Sequence, residues 1–139
     1  RTYLHVVKSI LESVDKLGLN ENLTILGFFP EQYMNQLYSG ADLFILPSLY
    51  EGFGLPVLEA MACGTPVVTS RVSSIPEISG DAAFLINPHD ADAITDAIDK
   101  VLADTELRNG MIQKGLERAK QFTWEKTARA YIDLYKRLV

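Results

Sequence analysis

Residues 47–68 read PSLYEGFGLPVLEAMACGTPVV, and the order of elements in this stretch decides the fold. It predicts a strand end, a glycine-bearing loop, a helix over Leu55–Cys63 and a new strand from Pro66. Pro56 stands near the helix start and Gly64 just past its end, the usual asymmetry of helix termini. Gly52 and Gly54 let the backbone come close to a ligand. The helix that follows aims its free N–H groups and positive dipole end at the same place, which suits a phosphate or another anion. The plainer reading, that the glycines only make a tight turn, stays open on the glycines alone.

Glu59 adds weight to the first reading. It is the only polar side chain between Leu55 and Cys63, so the helix is expected to be buried nearly all round. A carboxylate there is costly without a partner, and the dipole offsets only about 0.3–1 kcal/mol. The partner is either a structural donor or a ligand hydroxyl, as when an acidic residue grips a ribose in dinucleotide folds. Glu51 lies eight positions earlier. Eight residues of ideal helix span about 12 Å, whereas the two carboxyls of a retaining glycosidase stand about 5–5.5 Å apart. The pair therefore fits two carboxylates holding different parts of one extended ligand.

Working outward, Leu4, Val7, Leu11, Val14 and Leu17 recur at helical spacing and Gly18 follows them. Leu23–Phe29 reads as a buried strand stopped by Pro30, and Glu31–Ser39 as a short helix. Asp42–Pro47, Pro66–Ser70 and Ala82–Ile86 read as further strands. Helices are expected over Ala91–Ala103, Glu106–Phe122 and from the Thr123 cap to about Leu138. Short apolar strands alternating with helices predict an α/β fold, a Rossmann-like doubly wound parallel sheet covered on both faces. Ligands bind such sheets beyond the carboxyl ends of the strands.

The 139 residues make one ordinary domain, 47% hydrophobic and 22% charged, which is the composition of a globular protein. Thirteen basic against 18 acidic residues, with no basic run beyond Lys136-Arg137, argue against a nucleic-acid partner. No apolar run approaches the about 18 residues of a membrane span. Cys63 is the sole cysteine, so no internal disulfide forms.

The ordered set Pro47-Ser48, Glu51-Gly52-Phe53-Gly54, Glu59-Ala60-Met61-Ala62, Gly64-Thr65-Pro66-Val67-Val68, Ile75-Pro76-Glu77, Asn87-Pro88 and Phe122-Thr123-Trp124-Glu125 resembles glycosyltransferase family 4. That family comprises retaining enzymes of two Rossmann-like halves, the GT-B arrangement, marked by two glutamates separated by seven residues. The similarity runs from about Gly27 to the end of the chain. It implies that residues 1–139 form a single nucleotide-sugar-binding domain, part of the C-terminal half. The opening strands of that half and the acceptor-binding N-terminal domain would then be missing. It implies that Glu51 sits beside the transferred sugar as the catalytic carboxylate, and that Glu59 binds the ribose. Backbone N–H groups of Gly52, Phe53, Gly54 and Leu55 would meet the diphosphate or the sugar, and Phe28 and Phe29 would lie near the base. No metal and no cofactor are implied; the nucleoside-diphosphate sugar is a substrate. A cytoplasmic setting is the expectation, any membrane association belonging to the acceptor half.

One departure matters. The family's diphosphate grip uses an Arg and a Lys, yet between Lys16 and Lys100 the only basic residue is Arg71. A leaving diphosphate needs its charge stabilised, so the chain alone is expected to be inactive. Arg71, which follows a strand, either reaches a phosphate or stands as a surface arginine. His89 reads as a helix-entry residue, His5 as solvated and Cys63 as core. Trp124, Phe122 and Tyr131 are expected to pack the last helix onto the domain, and Tyr33, Tyr38 and Tyr50 to be core or rim. The segment Pro76–Ala83 looks like members that use GDP-mannose. The alternatives are a non-catalytic nucleotide-sugar sensor, which has less need of Glu51, and an epimerase or phosphorylase of related architecture.

Overall fold

The structure is a computed structural model describing residues 2–138, with side chains described from His5 onward. The chain divides into two units, one ending at Glu31 and the other beginning at Gln32. In the first, α1 (Thr2–Lys16) forms as the periodicity predicts, with Lys16 in its last turn complementing the dipole. Leu4's side chain lies outside those described. The expected strand over Leu23–Phe29 is not formed. A strand exists only through a neighbour's hydrogen bonds, and this run has no ladder; Leu23, Ile25 and Leu26 stay largely exposed.

The second unit is built on three parallel strands, β1 (Phe44–Leu46), β2 (Val67–Ser70) and β3 (Phe84–Ile86), in the order β1-β2-β3. Phe44 pairs with Val67, and Val68 with Phe84. All four residues of β2 are buried, which is why it reads as a continuous apolar run with two hydroxyl residues at its end. Thr69 Oγ1 donates to the Leu46 carbonyl at 2.8 Å, so a polar side chain is accommodated there.

Side chains alternate along β2, and each face carries its own core. Val67 packs with Val57, Ala60 and Met61 of α3 (Leu55–Ala62) and with Ile75 of α4 (Ile75–Ser79). Val68 packs with Ile86, with Ala97 and Val101 of α5 (Ala91–Ala103) and with Met111 of α6 (Thr105–Ala119). Helices on both faces of a parallel sheet are the doubly wound arrangement expected. Gly115 of α6 lets α3 approach closely: a Cβ there would lie 3.3 Å from Met61 Cγ. Cover is thinner at the edge, where Ile45 of β1 is 37% exposed.

Three expectations need correction. Helix α4 was not foreseen; five residues are too few to show a helical period. Helix α3 is not buried all round. Leu55, Glu59 and Ala62 are exposed, an i, i+4, i+7 stripe along one side. Finally, α2 (Met34–Ser39), preceded by a 3-10 turn at Glu31–Tyr33, holds as expected, but α7 (Trp124–Leu138) has no buried residue. Trp124 is 82% exposed and Tyr131 more than half, so these rings do not pack the helix onto the unit; Phe122 alone of the three is half-buried.

Candidate functional site

The loop from β1 to α3 turns into the helix at Gly54, which takes φ 97° as its N-cap. That left-handed conformation is natural for glycine only. A Cβ at Gly54 would also stand 2.7 Å from Ile75 Cδ1, so α4 presses on the turn from behind. Gly52 differs: it has ordinary dihedrals, is exposed, and a Cβ there would meet nothing within 4 Å.

No side chain caps α3, and Pro56 occupies its first turn without an N–H. The first N–H of the helix to find a carbonyl is Val57, which donates to Gly54 at 3.0 Å. Among the described residues, the N–H groups of Gly52, Phe53, Gly54 and Leu55 have no hydrogen-bond partner. Four successive donors at the positive end of a helix make a place for negative charge.

Two carboxylates flank them, each aimed by a hydroxyl. Ser48 Oγ donates to Glu51 Oε1 at 2.7 Å, and Glu51 is half-buried. Tyr38 Oη donates to Glu59 Oε2 at 3.0 Å, leaving the exposed Glu59 carboxylate with one oxygen unengaged by Tyr38. Tyr38 is itself fixed. It is 6% exposed, its ring meets Phe44 edge-on with centroids 5.4 Å apart, and its carbonyl accepts from Thr65 Oγ1 at 2.7 Å.

Burial pushes the Tyr38 phenol up to about 12, helped by its hydrogen bond to Glu59, that carboxylate's charge, and Cys63. Burial, then the Glu59 charge, likewise raises the Cys63 thiol. Unfolded tyrosines ionise near pH 10. The fold therefore keeps a proton that the unfolded chain gives up, and the associated stability is present below pH 10 and lost as pH rises towards 12. Tyrosinate absorbance against pH is expected to show a late step towards pH 12 that is missing in Tyr38→Phe. A late part of the curve left unchanged by Tyr38→Phe would refute this.

The loop is strapped from the far side by residues the sequence did not single out. Ser73 Oγ accepts the Glu51 N–H at 3.0 Å, and Ser74 Oγ donates to the Glu51 and Phe53 carbonyls at 3.1 and 3.0 Å. Ser73 holds φ 45°, a conformation that costs a non-glycine residue on the order of 1 kcal/mol or more. Phe53 meets Phe122 edge-on, and the Arg118 guanidinium lies 5.0 Å from the Phe122 centroid. Arg118 also donates to the carbonyls of Ile78, at 2.9 Å, and of Glu77, closing the end of α4. Only Ser48, three residues before Glu51, carried a signal local enough to find in the sequence. The other hydrogen-bond partners, Tyr38, Ser73, Ser74 and Arg118, lie about 20 or more residues from the groups they bond in the loop, in α3 and at the end of α4.

Arg71 and His89 are exposed, and His89 N–H donates to Asn87 Oδ1 at 3.1 Å. Phe28 and Phe29 lie in the first unit; Phe28 is 95% exposed. Among the described residues no group of three or more His, Cys, Asp or Glu is placed to hold a metal ion. No helix among them is long and apolar enough to cross a membrane.

The family model described as "Glycosyl transferases group 1" matches residues 5–118. The O-antigen chain mannosyltransferase B of Escherichia coli is 48% identical over 113 residues, covering 81% of this chain and 30% of its own length. Sucrose-phosphate synthase from Thermosynechococcus elongatus superposes with a TM-score of 0.85 at 36% identity, over 94% of this chain and 34% of that one. Anabaena HepE, solved in complex with UDP and glucose, superposes at 0.83 with 26% identity, over 96% of this chain and 36% of that one. The chain spans about a third of the length of these relatives.

Proposed function

We propose that this chain, which belongs to the glycosyl transferases group 1 family, supplies the donor-binding part of a site that passes a hexose from a nucleoside-diphosphate sugar to an acceptor hydroxyl with retention. The observation that carries this is the run of unpartnered N–H groups, Gly52 to Leu55, between two hydroxyl-aimed carboxylates. As the glycosidic bond breaks, negative charge develops on the diphosphate. Preorganised N–H donors and the helix dipole stabilise that charge in the transition state more than in the ground state. Glu59, gripped on one oxygen by Tyr38, keeps acceptor capacity for the ribose hydroxyls. Glu51, steadied by Ser48 and by the straps from Ser73 and Ser74, stands beside the transferred sugar and stabilises the positive charge that grows at its reacting carbon. The chemistry as proposed uses no metal.

Mannose is the hexose we favour, on the ground of the 48% identity to a mannosyltransferase. An acceptor-binding domain outside these 139 residues would close the site. Without it, and with Arg71 the only basic residue between Lys16 and Lys100, the chain alone is expected not to turn over. The donor reading is tested by titrating the chain with GDP, UDP and ADP while following backbone amides by NMR. Saturable shifts at Gly52, Gly54 and Glu59 with one nucleotide are expected. Three flat titrations would remove the reading.

A further inference from the structure

Beyond the donor loop, the carboxyl end of the sheet holds a second opening. Residues 71–72 leave β2 and residues 87–89 leave β3, and between them lies an open cavity of about 380 Å³. It is lined by Arg71, Val72, Leu85, Ile86, Asn87, Pro88 and His89, and the Arg71 N–H donates to the Ile86 carbonyl at 2.8 Å, tying its two walls together. Ligands of parallel sheets collect at this edge.

The cation there has no partner among the described residues. From Gln32 to Arg129, every other basic side chain described has a partner. Lys114 pairs with Asp81, Lys120 with Glu117 and Arg129 with Glu125. Arg108, Arg118 and Lys126 donate to carbonyls, and Lys100 lies over the Phe84 ring. The Arg71 guanidinium makes no ion pair or hydrogen bond among the described residues. Asn87 has its Oδ1 taken by the His89 N–H, so its remaining polar group is the Nδ2 donor. The one acidic neighbour in the turn, Asp90, is engaged as the α5 cap, accepting the Ala93 N–H at 3.0 Å. Arg71, Asn87 and His89, which carry a guanidinium fork, an amide donor and an imidazole, are thus among the residues lining an opening with apolar walls. That donor set matches a phosphate, and the volume admits the group esterified to it as well.

We propose that Arg71, Asn87 and His89 form a phosphate subsite, distinct from the four N–H groups at α3. Its phosphate comes either from the second substrate or from one of the two phosphates of the donor's diphosphate. The strap joins the two places, since Ser73, which holds the Glu51 N–H, is two residues from Arg71.

The test is an NMR titration of the chain with inorganic phosphate, against sodium chloride at equal ionic strength. Saturable shifts are expected at the amides of Val72, Asn87 and His89. In Arg71→Gln, whose side chain is exposed and whose fold is not at risk, affinity is expected to fall about tenfold or more. A response equal to that of chloride, or unchanged in Arg71→Gln, would overturn the proposal. GDP then separates the sources. Competition with phosphate at residues 72, 87 and 89 assigns the subsite to the donor. GDP shifts confined to residues 52–59 assign it to the second substrate. The two proposals fail separately, because the donor loop and the subsite report on different amides.

Discussion

Gly54→Ala is expected to destabilise the second unit by about 2–5 kcal/mol, the sum of left-handed strain and overpacking. Both causes act at once. At φ 97° an alanine is strained whatever space surrounds it, and here its Cβ would lie 2.7 Å from Ile75 Cδ1. Ile75 is wholly buried against β2 and α3, so it has little room to retreat. Relief by rotating the turn would misdirect the N–H groups of residues 52–55. Gly52→Ala is the matched control, since it adds a methyl group in open space at ordinary dihedrals and is expected to leave stability within about 0.5 kcal/mol. Urea denaturation of the two variants beside the parent checks this. A Gly54→Ala protein as stable as Gly52→Ala would show that the turn is not held as described. Loss of nucleotide binding in a well-folded Gly52→Ala would mark that glycine as kept open for the ligand.

Glu59→Gln is expected to weaken nucleotide binding about a hundredfold while leaving the fold intact. Hydrogen bonds to a charged group contribute about 1.5–3 kcal/mol each, and the substitution removes the charge from a group proposed to hold two ribose hydroxyls. Stability is expected to hold for two reasons. Glu59 lies on the exposed stripe of α3, and a glutamine oxygen still accepts from Tyr38, so the buried phenol keeps its partner. The same amide titration reads the loss. Unchanged affinity would show that Glu59 is only the acceptor of the Tyr38 bond.

Much of the second unit was legible because its information is local. The apolar runs at Leu43–Leu46, Val67–Val68 and Phe84–Ile86 sit between helices of readable period, and parallel pairing is the arrangement open to them. The run at Leu23–Leu26 has the same composition but forms no strand. Composition states how much a segment prefers burial, and only a neighbour supplies a ladder. Trp124 failed similarly, since amphipathicity predicts a face that needs covering, not what covers it. At the site, the glycines and glutamates stood out by residue type and spacing. Ser73, Ser74 and Arg118 did not, because a serine or an arginine acquires its role from whichever loop or helix end lies opposite.

The placement of β2 has a consequence in time as well as in space. Its four residues are buried, it is paired on both sides, and both cores close on it. No small fluctuation frees its amides; both layers of helices have to part first. Hydrogen exchange there should run at the rate of opening of the whole unit, whereas α7, which buries nothing, should exchange by fraying. A ligand seated at the carboxyl edge of the sheet would then slow exchange in β2, a strand it never touches, so deuterium uptake at Val67–Thr69 becomes a gauge of occupancy.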